Sequence, residues 1–283
     1  MLRCNVFRRS YSCCPKRPRY KSFRETSAAP DPAAPVSAAI SVPGREEAQM
    51  PIQRRVGPRS GTVWVDLFGE TSEYTGEASA DLLRGWASGY LTEPNPELGR
   101  SGPVCPFVRP SIGKQLFGAA FVHGSGIDAR ALGTIVEDQF DLYTTLSRED
   151  DRDRSLKTLV TVLPDLTGFE VIDVVHAEFK SQFVEHGFML GQFYPGCTQP
   201  GLWNHDFHPL DAPLPMLVAR NMMTTDFPFL VGRQEWLCAY FKKFAPALPS
   251  TLRLTIAKRM RYDGDAVDAI TTHHELTGNE PAR

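Results

Sequence analysis

Between residues 62 and 244 the chain alternates short apolar runs with stretches whose apolar residues recur every three or four positions. The runs Thr62–Phe68 (TVWVDLF), Leu116–His123 (LFGAAFVH), Leu156–Leu163 (LKTLVTVL), Phe188–Tyr194 and Met216–Asn221 are short, apolar and bounded by polar or turn residues, which predicts buried strands. Helical spacing appears in Ser79–Thr92, with Leu82, Leu83, Trp86 and Tyr90 in phase, and in Asp128–Leu146, with Leu132, Ile135, Gln139, Leu142 and Leu146. It returns in Phe169–His186, through Ile172, Val175, Phe179 and Phe183, and in Arg233–Phe244, through Trp236, Leu237, Tyr240 and Phe244. Asp128 is suited to cap its helix, and Thr167-x-x-Glu170 reads as a capping box. After the first run the order is roughly α-β-α-β-α-β-β-α. It predicts a single layered α/β (α+β) domain, a mixed sheet covered by helices.

The stretch from Phe188 to Pro215 departs from this rhythm. It holds a cysteine, a tryptophan, two histidines, three glycines and five prolines between two strands. Connections in compact domains usually take a handful of residues, and longer ones are functional or disordered. This one is too aromatic for disorder, so it predicts an ordered loop that lines a site.

The ends of the chain differ from its middle. Residues 1–60 carry 12 Lys and Arg against 4 Asp and Glu, first as a basic arm from Arg3 to Arg24, then as the Ala/Pro/Ser-rich segment Ala28–Pro43. That composition predicts a disordered extension. A segment upstream of a start at Met50, a targeting peptide and a tail for anionic surfaces are the competing accounts. The domain is expected over 61–249, with 250–283 a loosely ordered tail.

Composition narrows the function classes. Beyond residue 60 there are 19 basic residues against 29 acidic ones, which argues against a nucleic-acid role. No apolar run approaches the roughly 20 residues of a membrane span, and 42% hydrophobic content with a mean hydropathy of −0.26 fits a soluble globular protein. The cysteines at 4, 13, 14, 105, 197 and 238 form no CxxC pair. Neither a zinc ribbon nor a disulfide framework is supported, and free thiols in a reducing cytoplasm are expected.

Several residues could carry chemistry. Cys105, in Gly102-Pro103-Val104-Cys105-Pro106-Phe107, is held by flanking prolines and could serve as nucleophile, redox group or metal or haem ligand; the alternative is a small buried hydrophobe. Cys197 in Tyr194-Pro195-Gly196-Cys197 is the second candidate thiol. His176 lies beside the apolar stripe of its helix, as a buried structural histidine or as a haem or acid–base group. His123 ends a strand, where α/β sheets often bind ligands. Arg220 could grip a carboxylate in bidentate fashion, or pair structurally with Asp226. His205, Asp206 and His208 are too short a pattern to assign a metal. No phosphate loop, dinucleotide fingerprint, GxSxG elbow or HExxH is present, which disfavours nucleotide hydrolysis and zinc proteolysis.

The motifs Gly99-Arg100-x-Gly102-Pro103-Val104-Cys105-Pro106-Phe107-Val108, Met189-Leu190-Gly191-Gln192-Phe193-Tyr194, Pro200-Gly201-Leu202-Trp203-Asn204 and Pro228-Phe229-Leu230 resemble an actinobacterial domain-of-unknown-function family found near natural-product gene clusters. The resemblance covers about residues 80–246 and implies no established activity. The triplet Cys105-Pro106-Phe107 is similar to one in the YqcI/YcgG-like family, some of whose members are haem-dependent and hydroxylate an arginine nitrogen. The clustering of Cys, aromatic and Gly/Pro residues in the Gly102–Arg109 segment and the long loop leads to the expectation of a small enzyme of secondary metabolism, with haem as the cofactor by analogy with that triplet. Cys105, His176 or His123 would be its ligand, Arg220 would hold an anionic substrate, and Phe107, Phe193, Tyr194 and Trp203 would supply apolar walls. A cofactor-free enzyme using Cys105 or Cys197, and a non-catalytic module binding a small molecule or partner, are the alternatives. Oligomeric state is not legible.

Overall fold

Leu159 and Val160 are neighbours in the chain, yet each is buried in a different hydrophobic core. The strand that carries them, β4 (Thr158–Val162), therefore lies in a sheet covered on both faces. The computed structural model describes residues 52–69, 73–149 and 152–261; the expectations for the N-terminal extension up to residue 51, and for the tail after Arg261, lie outside the described residues.

The sheet has six strands in the order β1-β2-β3-β4-β6-β5. They are β1 (Arg55–Val56), β2 (Val63–Asp66), β3 (Phe117–Phe121), β4, β5 (Phe188–Phe193) and β6 (Met216–Asn221). Only β3 and β4 are parallel; the other neighbours are antiparallel, so the sheet is mixed as expected. Gly118 of β3 has no room for a side chain, since a Cβ there would fall 2.7 Å from Leu159 Cδ2.

One face is covered by α3 (Ala129–Glu149) and α4 (Glu170–Glu185), whose Leu132, Ile135, Val136, Ile172, Val175 and Phe183 meet Trp64, Leu159, Leu190 and Leu217. Gln139 shares the apolar stripe of α3 because its amide donates to the Leu159 carbonyl at 2.7 Å. Asp128 caps this helix, accepting the Ala131 N–H at 2.8 Å. The other face is covered by α1 (Ala78–Trp86), the π-helical turn Ala87–Leu91 and α2 (Val108–Gly113), packed on Phe117, Ala119, Val160, Val162 and Met216. A third cluster joins Val184 of α4 and Met189 of β5 to α5 (Gln234–Phe244) and α6 (Ser250–Met260).

The structure departs from the expectations in places. The Thr167/Glu170 capping box does not form: the helix starts two residues later, with Phe169 as N-cap and no side-chain cap. Phe169 is stacked on Tyr194 at 5.0 Å and 21°. The Gly/Pro-rich segment after α1 contains a 3₁₀ turn (Pro96–Leu98) and α2, both too short for periodicity to reveal. A further 3₁₀ segment, Thr224–Leu230, follows β6. Ordered structure starts before Gly61, with β1, and α6 continues past residue 249. Among the described residues no helix is long and apolar enough to cross a membrane.

Candidate functional site

The long loop begins where β5 ends and returns at β6. Val162 pairs with Met216, and the Leu163 N–H donates to the Pro215 carbonyl at 2.9 Å. The loop therefore sits at the end of the sheet where the parallel strands β3 and β4 present their carboxyl ends, the usual ligand position in α/β sheets. Its order comes from its own anchors. Asp211 accepts the Gly196 N–H at 2.9 Å, and the Gly201 N–H donates to Phe207 O at 2.7 Å. Asn204 reaches across to donate to the Glu97 carbonyl at 2.7 Å. Gly99, at φ 74°, lies under Trp203, where a Cβ would come within 2.8 Å of the tryptophan's own. Phe207, Cys197, Ala212 and Leu214 turn inward and are buried.

Between this loop and the α1 side of the sheet is a cleft of about 560 Å³. Seven of its ten lining residues come from the loop: Pro195, Asp206, Phe207, His208, Asp211, Ala212 and Pro213. Trp86, Tyr90 and Glu97 form the opposite wall. Trp86 and Tyr90, one helical turn apart, hold their rings near parallel at 6.2 Å and 20°, and Phe193 meets the Trp86 ring edge-on at 6.2 Å. Burial pushes the Tyr90 hydroxyl above its ordinary value, and the charges of Asp211 and Glu97 push the same way against an Asn95 hydrogen bond. The fields of these two carboxylates thus meet at the Tyr90 ring.

None of the nine sequence-nominated residues lines this cleft, although Tyr194, Cys197 and Trp203 belong to the loop that builds it. The Tyr194 hydroxyl donates to Asp173 at 3.1 Å, Gln192 donates to the same carboxylate at 3.1 Å, and buried Cys197 lies beside Tyr194. Trp203 is 54% exposed. Half-buried Cys105 packs against the α1 side of the sheet, with Phe107 at the start of α2. His176 is on the opposite face, its Nε2 bonded to the Leu190 carbonyl at 3.0 Å, and burial holds it down at about 4. Cys105 and His176 therefore cannot reach one common group.

Arg220 projects from the same face of β6 as Val218, the face whose core includes Cys105, but both of its terminal nitrogens are engaged by Asp226 at 2.7 Å. The structural pairing considered for it is formed. His123 lies between Asp165 and Glu77, each 3.1 Å from one ring nitrogen. Among the described residues no group of three or more His, Cys, Asp or Glu side chains is placed to hold a metal ion. The cleft's own side chains were hard to pick out in sequence. Trp86 and Tyr90 have the spacing of an ordinary buried stripe, and Glu97, Asp206 and Asp211 are single acids in loops. The signal available was the loop's length and aromatic content.

The family model for the Domain of unknown function (DUF6875) matches residues 80–255. The chain belongs to the DUF6875 family. All ten cleft residues fall within the DUF6875 match, whereas β1 and β2 precede it. Neither the comparison with curated proteins nor that with solved structures gives a match.

Proposed function

We propose that this DUF6875 protein binds a small organic molecule in the cleft between the 194–215 loop and the Trp86/Tyr90 wall. The observation that carries this reading is the cleft itself. Its volume of about 560 Å³ is in the range of small-molecule sites, roughly 300–1,000 Å³. Its walls combine aromatic rings with a few polar groups, and it sits at the carboxyl ends of the parallel strands. The free thiols of Cys105, Cys197 and Cys238 support a reducing, cytoplasmic setting. Natural-product metabolism is the context that the family resemblance favours.

The test is a fragment screen by ligand-observed NMR on the full chain. Hits, carried over to the ¹⁵N-labelled protein, should shift the Trp86 indole N–H signal, and they should disappear when Pro213→Trp fills the cleft. A screen with no hits, or with hits indifferent to Pro213→Trp, overturns the reading. A thiol-dependent enzyme is the second reading, favoured by Cys105 being a free, only half-buried thiol among the described residues. It predicts that iodoacetamide alkylates Cys105 markedly faster than Cys238, and equal rates would remove it.

A further inference from the structure

We infer that the ligand of this cleft carries a positive charge: a protonated amine, guanidinium or quaternary ammonium on an apolar body. This rests on the cleft being the ligand site, and deepens that reading by naming the ligand's chemistry. Two independent features of the cavity agree on the sign.

The first is its aromatic wall. The near-parallel Trp86 and Tyr90 rings, with Phe193 against the Trp86 edge, give the cleft an aromatic boundary that includes two lining rings. Ring faces carry the negative part of the quadrupole and attract cations, most strongly where water is partly excluded. A neutral aromatic ligand would gain from stacking alone. A cation gains from the quadrupole as well.

The second is charge balance. Glu97, Asp206 and Asp211 line the cleft, and no Lys or Arg does. The carboxylates of Glu97 and Asp206 form no hydrogen bond or ion pair with another described residue, while Asp211 accepts the Gly196 N–H. Arg100, the nearest arginine in sequence to Glu97, is turned away and donates to the Ser101 and Val104 carbonyls. Like charges left facing one cavity are repulsive in the empty state and are relieved by an incoming cation. An anionic ligand would meet repulsion from all three acids and from the ring faces. His208 is the only lining residue with a basic side chain.

The experiment uses three ligands of one shape and different charge: 3-phenylpropylamine, 3-phenylpropanol and 3-phenylpropanoate. Each is titrated into the ¹⁵N-labelled full chain, and the Trp86 indole N–H, assigned with Trp86→Phe, is followed. The amine should bind at least about tenfold more tightly than the alcohol, as expected for one cation–π contact reinforced by carboxylates. The carboxylate should bind most weakly. In the double variant Glu97→Gln/Asp206→Asn the ratio of amine to alcohol affinity should fall severalfold. Both residues are exposed, so the substitutions spare the core, and the remaining amide spectrum reports on folding. Equal binding of amine and alcohol, preference for the carboxylate, or an undiminished amine preference in the double variant would each overturn the cation assignment and leave the cleft reading standing. Failure of all three ligands to move the Trp86 signal would overturn both.

Discussion

Asp138 on α3 receives both the backbone N–H and the hydroxyl of Ser60, each at 2.8 Å. Arg59 adds its own backbone N–H at 3.1 Å and a guanidinium contact at 2.9 Å. The carboxylate is fully buried, and the β1–β2 hairpin closes around it, with Gly57 leaving the space a side chain would fill. Burial alone would raise its pKa. The hydrogen bonds from Ser60 and Arg59 outweigh burial and hold it below the ordinary carboxylate value.

Asp138→Ala should therefore be among the most destabilising single substitutions in the domain, by about 3 kcal/mol, because it strands several donors without an acceptor. Urea unfolding followed by circular dichroism measures it. The sign with pH follows from the lowered pKa. The stabilisation is present above the ordinary carboxylate range and is lost as pH falls through the folded value. Wild type and variant should thus converge in acid. A gap that stays constant down to about pH 3 would show that the charge of Asp138 is not what matters.

The same hairpin shows that the family match is smaller than the folding unit. Residues 80–255 leave out β1 and β2, and with them Trp64 and Leu67, both fully buried. A chain cut to that span would expose β3 as a bare edge and open both cores. It should be aggregated or largely unfolded by size-exclusion chromatography and circular dichroism, whereas residues 52–261 should fold. A cooperative thermal transition in the 80–255 fragment would contradict this.

The main strands and helices were legible because the period of their apolar residues matches the faces they bury. Val160 and Val162 face one core and Leu159 the other, a run apolar on both sides, as a central strand requires. The helical stripe of α3 was equally plain, down to Gln139. α2 and α6 were not legible. α2 is six residues long, and in α6 only Ala257 is buried, so no stripe marks it. The cleft was legible as a loop but not as residues. Its chemistry is assembled from single side chains on three segments, and local periodicity carries no information about such long-range meetings. The cysteines drew attention by type and by neighbouring prolines and glycines, but the packing around them is a property of the fold; of the two accounts of Arg220, only the fold selects the pairing with Asp226.

Asp66 presents the reverse of Asp138. It is 8% exposed at the end of β2, and neither carboxylate oxygen has a well-formed hydrogen bond. Burial pushes it up to about 6, although the Phe117, Gly69 and Phe68 amides and the Arg84 guanidinium pull the other way. A carboxyl whose folded pKa is raised destabilises the fold once ionised. The cost is absent below its ordinary value and grows as pH rises through about 6. Asp66→Asn should accordingly raise stability at neutral pH by on the order of 2 kcal/mol, a shift of several degrees in the thermal midpoint. The gain should vanish near pH 4. A variant less stable than wild type at pH 7 would mean that the ionised group has a favourable partner.

His123 titrates in a separate window. It joins Glu77, the residue before α1, to Asp165, which follows β4 and also accepts the Gly124 N–H at 2.8 Å. Burial pulls its pKa down, but the hydrogen bonds and charges of Asp165 and Glu77 exceed this and raise it above the ordinary 6.5. As an imidazolium it donates to both carboxylates. As a neutral ring it has one donor and turns a lone pair toward the other. Its contribution is therefore complete below about pH 6.5 and is lost as pH rises through the folded value. The side chain is 56% exposed, which limits the effect to a few tenths up to about 1 kcal/mol and makes it sensitive to salt. His123→Gln should lose stability against wild type near pH 6 and match it near pH 9. The protection factors of the α1 amides, which remove the intrinsic pH dependence of exchange, should fall over the same range in the wild type alone, because it is the start of α1 that this contact ties to the sheet. A stability gap that widened with rising pH would reverse the assignment and place a neutral imidazole in the folded state.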